Sequence, residues 1–156
     1  MQDGGNKKFS IYEGGEVIIV RNIVFRNRYA DHASLVGRPC IVLSEFDDKL
    51  TLLPMSSSRR NKNYNVSIDK EDFCDLKFGF KPKTKEFVDL SSMFQKDLRH
   101  HEIIALIKLK RYYELLQEIE EKRLEDNQFC SEYYKDVYQD LEYQRNQLEM
   151  ILRPKK

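Results

Sequence analysis

Tryptophan is absent from this 156-residue chain, and glycine (6), proline (4) and cysteine (3) are scarce. Cys40, Cys74 and Cys130 are odd in number, widely spaced and free of any CxxC pair. That excludes a disulfide framework and a zinc site as the organising device, and it fits a reducing compartment. No apolar run approaches the roughly 18 residues of a membrane-crossing helix. The start, Met1-Gln2-Asp3-Gly4-Gly5-Asn6, lacks the basic-then-apolar order of a secretory signal. A cytoplasmic protein with no membrane partner is therefore expected. Walker, GxSxG, HExxH and GxGxxG motifs are missing too, so neither metal nor cofactor is expected. A net charge is also lacking, with 27 Lys and Arg against 26 Asp and Glu.

What is present is charge of both signs and enough apolar residue for a core. Charged residues make up 34% of the chain and apolar ones 40%. One domain of ordinary size follows, since domains run to roughly 150 residues. Residues 101–156 hold 10 basic and 12 acidic residues, leaving 17 and 14 for the first hundred. The front is thus mildly basic and the tail mildly acidic.

Five short strands are expected in the first ninety residues. Glu16–Val20 is a β-branched run entered through Gly14-Gly15. After a polar loop over Arg26–His32, Gly37-Arg38-Pro39 leads into a strand over Cys40–Ser44. Pro39 biases Arg38 toward extended backbone. Asp47-Asp48-Lys49 reads as a hairpin turn before Leu50–Met55, whose ladder must stop, bulge or lie at an edge at Pro54. Asn65–Asp69 alternates apolar and polar residues, and Lys85–Leu90 is the fifth candidate.

The period changes near His101. Ile103, Ile104, Ile107, Tyr112, Leu115, Leu116 and Ile119 recur at three- and four-residue steps, which predicts a helix with His100-His101 at its start. A second helical pattern begins near Cys130, carries Tyr134, Val137, Leu141, Leu148 and Ile151, and ends at Pro154. The expected fold class is α+β: a small five-stranded, strongly twisted barrel followed by C-terminal helices. The expected organisation is a tail over 1–13, the barrel with its first helix over 14–122, and an added helix over 123–153.

Ser56-Ser57-Ser58-Arg59-Arg60-Asn61-Lys62, just past Pro54, packs three hydroxyls and three cations into seven residues. Hydroxyls and guanidinium forks are what a phosphate site needs, although the same run also reads as a soluble loop. Three motifs then stand in order: Gly15-Glu16-Val17, Gly37-Arg38-Pro39 followed by Ile41-Val42-Leu43-Ser44, and Leu52-Leu53-Pro54-Met55-Ser56-Ser57. With Val88-Asp89-Leu90-Ser91-Ser92-Met93 they resemble the MazF/PemK toxin family and the related ToxN-type toxins, over about residues 14–119.

The resemblance implies an SH3-like barrel, a toxin of a toxin–antitoxin system that cuts single-stranded RNA at short sequences without a metal. Arg38 matches the family's catalytic arginine, and Ser56 or Ser57 its hydroxyl. His32 falls where related members carry a first-loop histidine, as candidate base or acid. Asp89 matches a fifth-strand acid. Arg59, Arg60 and Lys62 are candidate phosphate contacts, and Tyr64 is a candidate for base stacking. Implied partners are messenger RNA, a protein or RNA antitoxin, and a second copy in a homodimer. The chain departs from the family at Ala33-Ser34, where a Glu-Gln pair is common, and near Asp89, where an arginine is common. Two other readings remain open: a barrel that binds RNA or protein without catalysis, and a toxin that poisons a protein such as a topoisomerase through its tail helix.

Overall fold

A β-branched apolar run folds as a strand buried on both faces when neighbours cover it on each side, and Glu16–Val20 (β1) does so at Val17, Ile18 and Val20, with Ile19 exposed. The structure, a computed structural model, describes residues 11–21, 23–25, 32–34, 37–56, 64–125 and 135–153. Within these, β1 is followed by Ile23–Phe25 (β2), His32–Ser34 (β3), Arg38–Phe46 (β4), Lys49–Ser56 (β5), Asn65–Asp69 (β6), Phe73–Cys74 (β7), Lys85–Asp89 (β8), Phe94–Asp97 (β9) and Ile103–Ile107 (β10). Two helices follow, Leu109–Glu125 (α1) and Lys135–Leu152 (α2). The class is α+β.

The main sheet is open and antiparallel, in the order β6-β8-β5-β4-β1-β10-β7, with β9 added alongside β5; β2 and β3 form a separate pair. Its two faces carry different clusters. Val17, Ile41, Leu43, Leu53, Met55 and Val88 pack beneath the helices. Ile18, Val20, Cys40, Val42, Leu50 and Leu52 pack on the other side with Tyr12, Phe94, Leu98 and Ile103. Tyr12, inside the expected tail, is only 3% exposed.

All five expected strands are present, but the count of five is not: β2, β3, β7, β9 and β10 add to it among the described residues. Asp47 and Asp48 make the expected hairpin turn, with φ of 55° and 59°. Both values suit the two-residue turn whose twist matches the strands. The expected helix from His101 is corrected. Ile103–Ile107 is a strand paired with β1, and α1 begins at Leu109. Ile103, Ile104 and Ile107 fit a helical step, but five consecutive apolar residues rich in isoleucine suit a central strand better. His32 likewise opens β3 opposite Phe25, where a loop is expected from sequence.

Leu43 is the pivot of the helical side. The β4–β5 register steps from Val42↔Leu52 to Ser44↔Thr51, leaving Leu43 as a bulge with no partner residue. Its carbonyl must find a donor elsewhere. Gln144 Nε2 of α2 donates to it at 2.8 Å, and the Tyr112 hydroxyl of α1 at 3.2 Å. The same Tyr112 proton is shared with Gln144 Oε1 at 2.7 Å, while Ser44 Oγ donates to Asp140 Oδ2 at 2.6 Å. Burial holds the Tyr112 hydroxyl protonated, its pKa raised far above the ordinary range, with nearby Asp140 adding to the effect. Gly14 is required beside this network. A Cβ there would run into the Tyr112 hydroxyl and the Gln144 amide.

Around the network the apolar stripes close. Tyr112, Leu115, Leu116 and Ile119 of α1, with Val137, Leu141 and Leu148 of α2, join one cluster with the sheet. Gln144, which interrupts the α2 stripe, and Asp140 are thus the polar ties between α2 and β4.

Candidate functional site

The site begins where two strands part. β4 and β5 pair as far as Cys40↔Pro54. Beyond that point Arg38 and Pro39 stay with β1, opposite Val20 and Ile19, while Met55 and Ser56 pass to β8, opposite Val88 and Phe87. Both prolines lack the N–H a ladder needs. Pro54 also sits where the outer edge of β5 changes partner, since β9 pairs only with Lys49–Leu52. The divergence therefore has a chemical cause written in the sequence.

Arg38 and Ser56 stand at the two lips of this split. Each lies two residues past the last pair, so both belong to the face that carries Cys40 and Pro54. Arg38 is half-buried, and Ser56 is 5% exposed. Gly37 lets the chain reach Arg38 against β1, because a Cβ there would meet Ile19 Cγ2 at 2.9 Å and Arg21 Cγ at 3.7 Å. The Cys40 thiol beneath is held protonated by burial, against the opposing pull of Arg38 and Lys96. Arg38 and Lys96 thus act on one point from two strands.

Asp89 faces Asn65 across β6–β8, two residues along from Phe87, the partner of Ser56. Asp89 is thus a diagonal neighbour of Ser56 across the β5–β8 pair. The Asp89 carboxylate is buried and already occupied. It accepts from Ser91 N at 2.9 Å, Ser91 Oγ at 2.5 Å and Ser92 Oγ at 2.9 Å, capping the short turn over Leu90–Ser92. Its observed work is to hold that turn beside the split.

Tyr64 packs against the helical cluster, with Lys122 Nζ 5.6 Å from its ring centroid. One face of the ring is therefore engaged by a cation. Ser57, Arg59, Arg60 and Lys62 lie outside the described residues, as does the His32 side chain. By chain order, the first four fall within the six residues after Ser56, and His32 precedes Gly37 by five residues. Among the described residues no three His, Cys, Asp or Glu side chains are grouped to hold a metal ion.

Sequence reading overlooked a second group. Arg21, Lys96, Arg99 and His101 line one cavity with Val20 and Asp97. The signal was available in the run Lys96-Asp97-Leu98-Arg99-His100-His101, but it reads as the start of a helix until β9 and β10 are placed. Burial pushes the His101 pKa down, and the nearby His100, Arg99 and Lys96 push the same way; a hydrogen bond to the Ile19 backbone partly offsets them.

No protein-family model matches the chain, and no curated protein matches it.

Proposed function

We propose that this chain is a toxin-type endoribonuclease of the MazF/PemK kind, an SH3-like barrel that cleaves single-stranded RNA without a metal. The observation that carries the reading is the proline-terminated split that sets Arg38 and Ser56 on facing strand ends. The ribose 2′-oxygen attacks the adjacent phosphorus, forming the O2′–P bond as the P–O5′ bond breaks. The 2′-hydroxyl proton passes to a base, for which His32 is the candidate, and the departing 5′-oxygen takes up a proton. The products are a 2′,3′-cyclic phosphate and a 5′-hydroxyl. Arg38 stabilises the charge that grows on the phosphorane oxygens, the effect that dominates most such reactions. Ser56 or Ser57 holds a non-bridging oxygen. Need of the 2′-hydroxyl restricts the substrate to RNA.

In this reading Asp89 acts by holding the turn at the lip, and Arg59, Arg60, Lys62 and Tyr64 contact the strand. The partners are messenger RNA and an antitoxin, protein or RNA, in the cytoplasm, with a homodimer as the working form. A second reading, an RNA-binding barrel without catalysis, draws on the burial of Ser56. Purified protein is incubated with a long single-stranded RNA in EDTA. Discrete cuts with cyclic-phosphate ends, lost in Arg38→Ala, support the nuclease. Bound but intact RNA supports the second reading, and RNA neither bound nor cut overturns both.

A further inference from the structure

The cavity beside Arg38 is built from two distant stretches of chain. Val20 and Arg21 come from the end of β1, and Lys96, Asp97, Arg99 and His101 from β9 and the segment after it. Its volume is about 310 Å³. That is at the small end of ligand cavities, which span roughly 300–1,000 Å³.

Its charge is one-sided. Asp97, the one carboxylate among its described lining residues, is paired with Lys49 at 2.7 Å. Among the described residues no carboxylate stands within ion-pair distance of the Arg21, Lys96 or Arg99 side chains. Lys96 and Arg99 are near enough to Asp97 to favour its charged form, but three cations against one carboxylate leave an excess of positive charge that an anion relieves.

The backbone around the cavity is held in place. The Tyr12 hydroxyl donates to the carbonyl of Arg99 at 2.8 Å and receives the N–H of His101. Tyr12 itself is anchored, its N–H donating to Glu45 Oε1 at 2.8 Å. The segment that carries Arg99 and His101 is thus held by Tyr12 of the second apolar cluster.

The cavity also adjoins the split. Val20 faces Arg38 across β1–β4, and the Arg21 stem runs along Gly37. We propose that this cavity is a phosphate site, taking the backbone phosphate of single-stranded RNA next to the one held at Arg38. The inference rests on the nuclease reading for its polymer ligand, but not for its anion chemistry. Arg21, Lys96 and Arg99 supply permanent charge and forked donors, and His101 adds an imidazole at the wall.

The test separates the two claims by using RNA that cannot be cut. A fluorescent single-stranded oligomer methylated at every 2′-oxygen is titrated with the wild-type chain, Lys96→Gln, Arg99→Gln and the double variant, at several salt concentrations. In parallel, inorganic phosphate is added while the His101 ring resonances are followed by NMR. The expected result is a His101 shift with phosphate and with oligomer, and weaker oligomer binding by each variant. The slope of log affinity against log salt is expected to fall by about 0.7 for each cation removed. A His101 shift with phosphate alone, with oligomer affinity and slope unchanged in the variants, overturns the RNA assignment in favour of a small phosphate ligand. No shift with either overturns the site. Oligomer binding that follows the prediction, in a protein that leaves ordinary RNA intact, keeps this site and removes the nuclease reading.

Discussion

The two sides of the sheet solve opposite problems. Under the helices, apolar side chains close over a polar network in which the bulged Leu43 carbonyl receives two donors and Ser44, Asp140 and Gln144 satisfy one another. Around Arg38 the chain instead leaves a ladder unfinished and gathers Arg21, Lys96 and Arg99 around a cavity whose one carboxylate among the described residues, Asp97, is bonded to Lys49. One region ties its polar groups into the seam between helices and sheet, and the other gathers an excess of cations around a cavity. The difference teaches where to look for binding: polar groups that are satisfied internally hold structure, and those that are not are available to a ligand.

Substitutions that strike only one side sharpen that contrast. The largest effect on stability is expected from Leu115→Ala. Leu115 is fully buried between α1 and the sheet, so truncation should cost about 2–5 kcal/mol, seen as a lower urea midpoint. The proposed RNA cleavage per folded molecule should not change. Gly14→Ala follows, since its new methyl enters the Tyr112–Gln144 contact. The expected cost is about 1–3 kcal/mol, and an unchanged melting curve would break the account of the network.

Two neighbouring carboxylates on α1 should respond to pH in opposite directions. Arg123 donates to both Glu120 oxygens, at 2.8 and 2.6 Å, and holds the carboxyl below its usual range. That stability is present above the unfolded pKa and lost as pH falls through the folded one. Glu120→Gln should therefore cost about 0.5 kcal/mol at pH 7 and nothing in acid. Glu118 has a buried Oε2 with no hydrogen-bond partner among the described residues, and burial raises its pKa. Its contribution is complete below the unfolded pKa and is lost as pH rises through the folded one. Glu118→Gln should thus raise the melting temperature at pH 7 and leave it unchanged near pH 3. Melting curves of both variants across pH check the pair.

Much of the frame was readable from residue pattern. β1, β4, β5, β6 and β8 announce themselves because β-branched runs and turn residues act locally, and Asp47-Asp48 marks its hairpin for the same reason. β9 does not, because Phe94-Gln95-Lys96-Asp97 becomes a strand only through its ladder to β5. β10 is ambiguous because Ile103, Ile104 and Ile107 satisfy two periods at once. The lips of the split were legible through Pro39 and Pro54, each of which removes a donor at a strand end. The cavity was not, since Arg21 and the Lys96–His101 stretch meet only after the sheet is assembled. Asp89 ends the strand expected of it, but its serine partners within three residues give it a capping task that strand position alone does not disclose.

The most direct test of the central claim is the single-turnover rate at which wild type and Arg38→Ala cut single-stranded RNA in EDTA, compared at equal folded fraction. The account predicts cyclic-phosphate products and a loss of about 10²–10³-fold in the variant, the scale for removing one preorganised charge stabiliser. Equal rates in the two proteins, or no cleavage by the wild type, would contradict it.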